Sequence, residues 1–271
     1  MKAQRKLRVL CRGTLLIIFA LGLFAGSFTH YSYGHQFRDI PNTRPSATHL
    51  LGTDSLGRDL FTRLVYGTRI SLLLAPAAAL LATIIAVILG GIAGLRGGWL
   101  EKIILASADL SMSLPLLFVL IALRALLPLD VSPVLSIVAT FVVLGLLGWP
   151  VSLRVVWAAS RNLRDSDHIL LAQALGYRRS QILFRQVIPC LRPVFLAQFW
   201  ISIPVFILTE ATLSMLGLGV MEPLPSWGNL LRGSEDFSAM AANPWRLVPL
   251  VVLILTVVCF QFIFPGSEEL A

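Results

Sequence analysis

Apolar and polar positions alternate along this chain in blocks the length of a membrane. Apolar runs at Thr14 to Tyr33, Ser71 to Gly94, Ile103 to Leu127, Val134 to Val156, Val194 to Leu216 and Leu247 to Phe264 are separated by polar stretches. A helix of about 20 such residues crosses a hydrocarbon core of about 30 Å. The pattern predicts an all-α, polytopic membrane protein with about six transmembrane helices.

One polar interruption, Leu163 to Pro189, carries a periodicity of its own. Asp165, Ser166 and Asp167 are N-cap types ahead of a run from Ile169 to Leu175, and Gly176 stands where a short helix needs a left-handed C-terminal residue. A second short helix follows, apolar at Ile182, Leu183 and Val187, basic at Arg178, Arg179 and Arg185, with Pro189 suited to the turn into the next span. Two helices bent at a glycine are expected, with Ala172, Ala174 and Gly176 small enough for another protein to approach closely. The flanking arginines would bind acidic groups or lipid headgroups. An ordinary basic inside loop has the same composition.

Of the 271 residues, 56% are hydrophobic and 13% charged, and the mean hydropathy of +0.82 excludes an ordinary soluble domain. The net charge of +8 follows topology: no basic stripe interleaved with aromatics exists, which argues against nucleic acid as a partner. Cys11, Cys190 and Cys259 lie far apart in the sequence and are expected as free thiols, with no metal. The basic start, Lys2 to Arg12, resembles that of a signal peptide. The length of the following run favours an uncleaved first helix with a cytoplasmic N-terminus. On that topology the inner segments hold most of the 22 lysines and arginines. The tail, 265 to 271, is short and acidic.

Between Gly34 and Arg69 the chain is turn-rich. Gly52, Asp54 and Gly57 mark a turn, and Leu60, Phe61, Leu64 and Val65 suit an amphipathic helix on a membrane surface. The aspartates lack the alternating ligands and closing glutamate of a calcium loop. Gly90, Gly91, Gly94, Gly97 and Gly98 are expected as a loop where the second span leaves the membrane. They are no phosphate cradle, because no Lys-Ser or Lys-Thr follows. No P-loop occurs elsewhere in the sequence, so any ATP must be bound by another polypeptide, and no cofactor is expected on this chain. Ionisable residues inside spans are candidates for function. Asp109 is either structural, snorkelling or pairing near an interface as Arg124 also would, or part of a proton relay. Glu210, with Ser214 a turn later, either lines a substrate path or is a packing or gate residue hydrogen-bonded to a neighbouring helix.

Several of these residues together resemble a known family. AlaGlnAlaLeuGly (Ala172 to Gly176), followed by Ile188 and Pro189, resembles the EAA loop of binding-protein-dependent ABC importer permeases. The family's glutamate falls on Leu170 and its first alanine on Leu171. GTDSLGRD, Gly52 to Asp59, with YGTRISL after it, resembles the dipeptide, oligopeptide and nickel branch. DLSMSLP from Asp109, TrpProValSerLeuArg from Trp149, EATLSMLGLG from Glu210 and PSWG from Pro225 are similar to that branch in the same order. The resemblance implies a type I importer transmembrane domain over 70 to 264, preceded by a helix and external segment (1 to 69) and followed by the tail.

It further implies a bacterial inner-membrane subunit with cytoplasmic termini, a second permease subunit, two cytoplasmic ATPases and an extracytoplasmic substrate-binding protein. Asp167, Leu170, Ala172, Ala174, Leu175, Gly176, Ile188 and Pro189 would couple to the ATPases. Gly52, Thr53, Asp54, Gly57, Arg58 and Asp59 form the external motif, and peptides or nickel chelates are the implied cargo. The rival readings are an ion-coupled secondary transporter using Asp109 and Glu210, and a membrane assembly protein without transport.

Overall fold

A computed structural model describes residues 2–115, 118–119, 121–122, 132–233 and 243–263. Among them the regular structure is helical, with a single isolated bridge between Thr53 and Asp59. The helices are α1 (Lys2–Leu23), α2 (Ala25–Phe28), α3 (Leu60–Arg96), α4 (Gly98–Ser113), α5 (Pro133–Leu147), α6 (Trp149–Arg164), α7 (Asp167–Ala174), α8 (Arg179–Ile182), α9 (Ile188–Cys190), α10 (Arg192–Met215), α11 (Trp227–Arg232) and α12 (Val248–Ile263). A π turn, Leu183–Val187, joins α8 to α9, and a 3-10 turn, Pro244–Leu247, precedes α12.

Among the described residues, four segments are long and apolar enough to cross a membrane: α3, α5 with α6, α10, and the 3-10 turn with α12. They correspond to the second, fourth, fifth and sixth expected spans. The first differs because α1 starts at Lys2, so its basic residues lie inside the helix, and the helical stretch ends near Phe28 instead of Tyr33. The third starts at Gly98 and ends at Ser113. Leu114 is extended, as the residue ahead of Pro115 is biased to be. Much of the remainder of that expected span, including Arg124, lies outside the described residues, as does the tail from 264.

Two units divide the chain, residues 1–75, 123–141 and 203–271 in one and 76–122 and 142–202 in the other. In the first, α1 packs along α12, and the buried thiols of Cys11 and Cys259 are neighbours. The two cysteines are distant in sequence, and both remain free. In the second unit α4 packs on α6, and α6, α7, α8 and the π turn pack in succession.

Two expectations change here. The amphipathic surface helix over Leu60 to Val65 does not exist separately: it is the first part of the continuous 37-residue α3, and Arg63 within it is 1% exposed. Gly90, Gly91 and Gly94 belong to α3, and only Gly97 and Gly98, both at φ +66°, form the turn. They stay helical because they let α6 approach. A Cβ on Gly94 would lie 2.6 Å from that of Ser160, and one on Gly90 would lie 3.0 Å from Val156 Cβ. Ser160 Oγ donates to Gly91 O at 3.1 Å across the same contact. Past the bend at Gly148, α6 continues to Arg164 and carries Arg154 within it.

Candidate functional site

The segment from 163 to 190 is two short helices joined at a glycine. Ser166, extended at ψ 146°, is the N-cap of α7, although its hydroxyl turns back to donate to Leu163 O. Asp167 occupies the first turn, where a carboxylate favours the helix dipole. At the other end Gly176 has φ +76°, its N–H donates to Gln173 O at 3.0 Å, and the N–H of Tyr177 reaches back to Ala172 O at 3.1 Å. That pair of bonds is a Schellman closure. Arg178 then begins α8, its N–H donating to Gln181 Oε1 at 3.0 Å.

Ile169, Ala172, Ile182, Leu183 and Val187 are buried with Val87, Leu95, Val156 and Leu191 in one apolar cluster. Leu171, Leu175 and Phe184 are exposed, Leu175 by 66% and Phe184 by 61%, as are Leu170, Ala174, Arg178, Arg179 and Arg185. Ala172 therefore serves internal packing and does not present a small surface to a partner, because its face of α7 rests on the core. Pro189 lies within helical geometry, not in the turn to α10. The wider π turn just ahead of it loosens the backbone where a proline ring would crowd the carbonyl four residues back. Ile188 and Pro189 are half-buried.

The other sequence candidates form a second group. Asp54 Oδ1 accepts the N–H groups of Leu56 and Arg58, both at 2.9 Å, and Gly52 and Gly57 take positive φ around that turn. Arg58 Nε donates to Asp54 Oδ2 at 2.6 Å, and its Nη1 donates to Glu222 Oε2 at 2.7 Å. Glu222 Oε1 also accepts from Arg63 Nη2 at 2.8 Å. Thr53 Oγ1 donates to Ile40 O at 2.6 Å. Asp59 caps α3, accepting from Thr62 N at 2.8 Å, and its other oxygen lies 2.9 Å from His49 Nδ1. The motif is thus a folded ion-paired turn that starts α3.

Glu210 of α10 is fully buried. Its Oε1 accepts from Ser214 Oγ at 2.6 Å, its Oε2 from Ser71 Oγ at 3.3 Å, and the Ser226 hydroxyl also bonds the carboxyl group. Ser214 Oγ in turn accepts from Val220 N at 2.9 Å. Close by, the buried indole of Trp227 donates to Thr68 Oγ1 at 3.0 Å. The carboxyl group of Glu210 ties α10, α3 and the segment leading into α11 together. Asp109 pairs with Arg154, a partner 45 positions away, and both side chains are more than half exposed.

Among the described residues no cluster of His, Cys, Asp and Glu suits a metal ion. Residues 86–268 match the family model of the binding-protein-dependent transport system inner membrane component. The chain belongs to that family.

The same relationship extends beyond the matched domain. The chain is 34% identical to the oligopeptide transport system permease protein OppC of Bacillus subtilis over 94% of its length and 81% of that protein's. It is 30% identical to the dipeptide transport system permease protein DppC of the same organism, over 94% and 78%. With the glutathione transport system permease protein GsiD of Pectobacterium atrosepticum it shares 32% over 94% and 83%. This binding-protein-dependent permease is a multi-pass membrane protein, and its family supplies the membrane component of an ABC importer, not a catalytic one. The ion-coupled secondary transporter is left without support.

Sequence reasoning missed Glu222, Arg63 and Trp157, whose Nε1 donates to Glu101 Oε1 at 2.7 Å. No local pattern announces Glu222, which meets Arg63 across 159 positions. A tryptophan and a glutamate at the ends of neighbouring predicted spans were the available sign of the last pair.

Proposed function

We propose that this permease is one of two membrane subunits of an ATP-driven importer of small peptides, with the 163 to 190 element seated on cytoplasmic ATPases. The observation that carries it is the element's division of labour. One side is locked into the core through Ile169, Ile182 and Val187, while Leu171, Leu175 and Phe184 stay uncovered. An element so built transmits a push to the spans it is packed on. ATP closure of the ATPases would bias the bundle between two access states through this one contact. Peptide cargo is supported by the names of the oligopeptide and dipeptide relatives, with an external binding protein delivering it and a second permease completing the path. The termini are cytoplasmic in this reading, consistent with the positive charge of the first helix.

Gentle detergent purification of the tagged chain from its native host, with mass spectrometry of the co-purifying proteins, tests the assembly. P-loop ATPases and a second permease are expected. Recovery of the chain alone, transporting peptide without ATP, would overturn the proposal.

A further inference from the structure

Beside the bent element the second unit contains a cleft of about 450 Å³. Its polar lining comes from four places in the chain: Arg96 at the end of α3, Arg164 and Asp165 at the end of α6, Gln173 on α7, and Tyr177 and Arg179 beyond the glycine bend. Three arginines and one aspartate line it. The carboxylate of Asp165 is itself weakly engaged, accepting from Arg164 Nε at 3.5 Å while 76% exposed.

Arg58, Arg63, Arg154 and Arg161 each have a carboxylate within 4.0 Å. Among the described residues neither Arg96 nor Arg179 has one. The α7 side chains on the cleft, Leu170 and Gln173, contribute no charge to offset them. Guanidinium forks match the oxygens of phosphate, and a phenol and an amide add a hydroxyl and further hydrogen-bonding groups. The volume exceeds that of a lone phosphate ion and falls in the range of pockets for small organic molecules.

We infer that this cleft binds a phosphate-bearing organic anion, bridging the ends of α3 and α6 to the start of α8. The chemistry has two sources, the headgroup of an acidic phospholipid and a soluble organic phosphate. Only the placement of the cleft on the cytoplasmic face rests on the proposed function. A bound phosphate would brace Arg179, and with it the bent element, against the helix ends on which that element turns.

The test is native mass spectrometry of the purified full chain with phosphatidylglycerol, phosphatidylcholine and glycerol 3-phosphate, using wild type, Arg179→Gln and Leu170→Glu. Both substituted side chains are exposed, so folding is expected to survive. Preferential retention of phosphatidylglycerol, reduced about fivefold by loss of one guanidinium and at least as much by Leu170→Glu, supports the inference and assigns the lipid source. Binding of glycerol 3-phosphate with the same sensitivity, and no preference between the two lipids, supports it and assigns the soluble source. Equal retention of all three probes, or a preference unchanged in both variants, overturns it. Because binding is read without transport, a chain that failed to recruit ATPases would still reveal whether the cleft holds the anion.

Discussion

Ser214 and Glu210 lie one turn apart on α10, and the hydroxyl of the first donates to Oε1 of the second at 2.6 Å. The same hydroxyl accepts the N–H of Val220, so the pair joins the helix to the chain that leaves it.

Removing the carboxyl group leaves the buried hydroxyls of Ser71, Ser214 and Ser226 short of a partner. Glu210→Ala should destabilise the protein by about 3 kcal/mol, since each orphaned buried group costs about 1–3 kcal/mol and some find new partners. Glu210→Gln, which keeps an acceptor oxygen, should cost less than half as much. Thermal unfolding in detergent checks the order. Equal melting of Glu210→Ala and wild type would show that the carboxyl group does not hold this junction.

Glu222 is half exposed but compensates the buried Arg63. Glu222→Ala is expected to cost about 2 kcal/mol, well above an exposed ion pair, because the guanidinium stays buried without its partner. Adding Arg63→Met to that variant should recover most of the loss. The double-mutant cycle, measured by thermal unfolding, must show strong coupling; additive effects would contradict the pairing.

No atom lies within 4 Å of where a Cβ on Gly176 would sit, so its left-handed φ alone restricts replacement. Gly176→Ala should cost about 1 kcal/mol at the bend and leave insertion intact. Gly176→Pro cannot take a positive φ, and it also removes the N–H that bonds Gln173 O. Peptide uptake in vesicles should fall modestly for the first and be abolished for the second, at normal membrane levels of both. Wild-type uptake by Gly176→Pro would refute a coupling role for the bend.

Because the thiols of Cys11 and Cys259 are neighbours, oxidation in isolated membranes should join α1 to α12. Copper phenanthroline is expected to give a faster-migrating species on non-reducing gels, absent from Cys11→Ser and retained by Cys190→Ser. Persistence of that species in Cys11→Ser would show that the two helices do not meet there.

What the sequence reveals divides by the distance over which the determining contact acts. The bend at Gly176 and the apolar side of α8 and its π turn, Ile182, Leu183 and Val187, follow from rules that operate within a few residues, and both are legible. The start of α3 is not. Its early turns read as a surface helix because Arg63 looks solvent-bound until Glu222 is brought to it. The glycines near the end of α3 mislead for a related reason: their low helix propensity is local, whereas the close approach of Ser160 that rewards them is 66 positions from Gly94. Glu210 is recognisable as unusual by its place in a span. What it bonds requires the positions of Ser71 and Ser226.

Trp227, wholly buried with its indole N–H on Thr68, is also a natural fluorophore at the joint between α11 and α3. Were the other tryptophans replaced, its emission would be blue while that joint is shut and would shift red as water reached the ring. The opening of this part of the permease during a transport cycle could then be timed by light, without attaching a label to the chain.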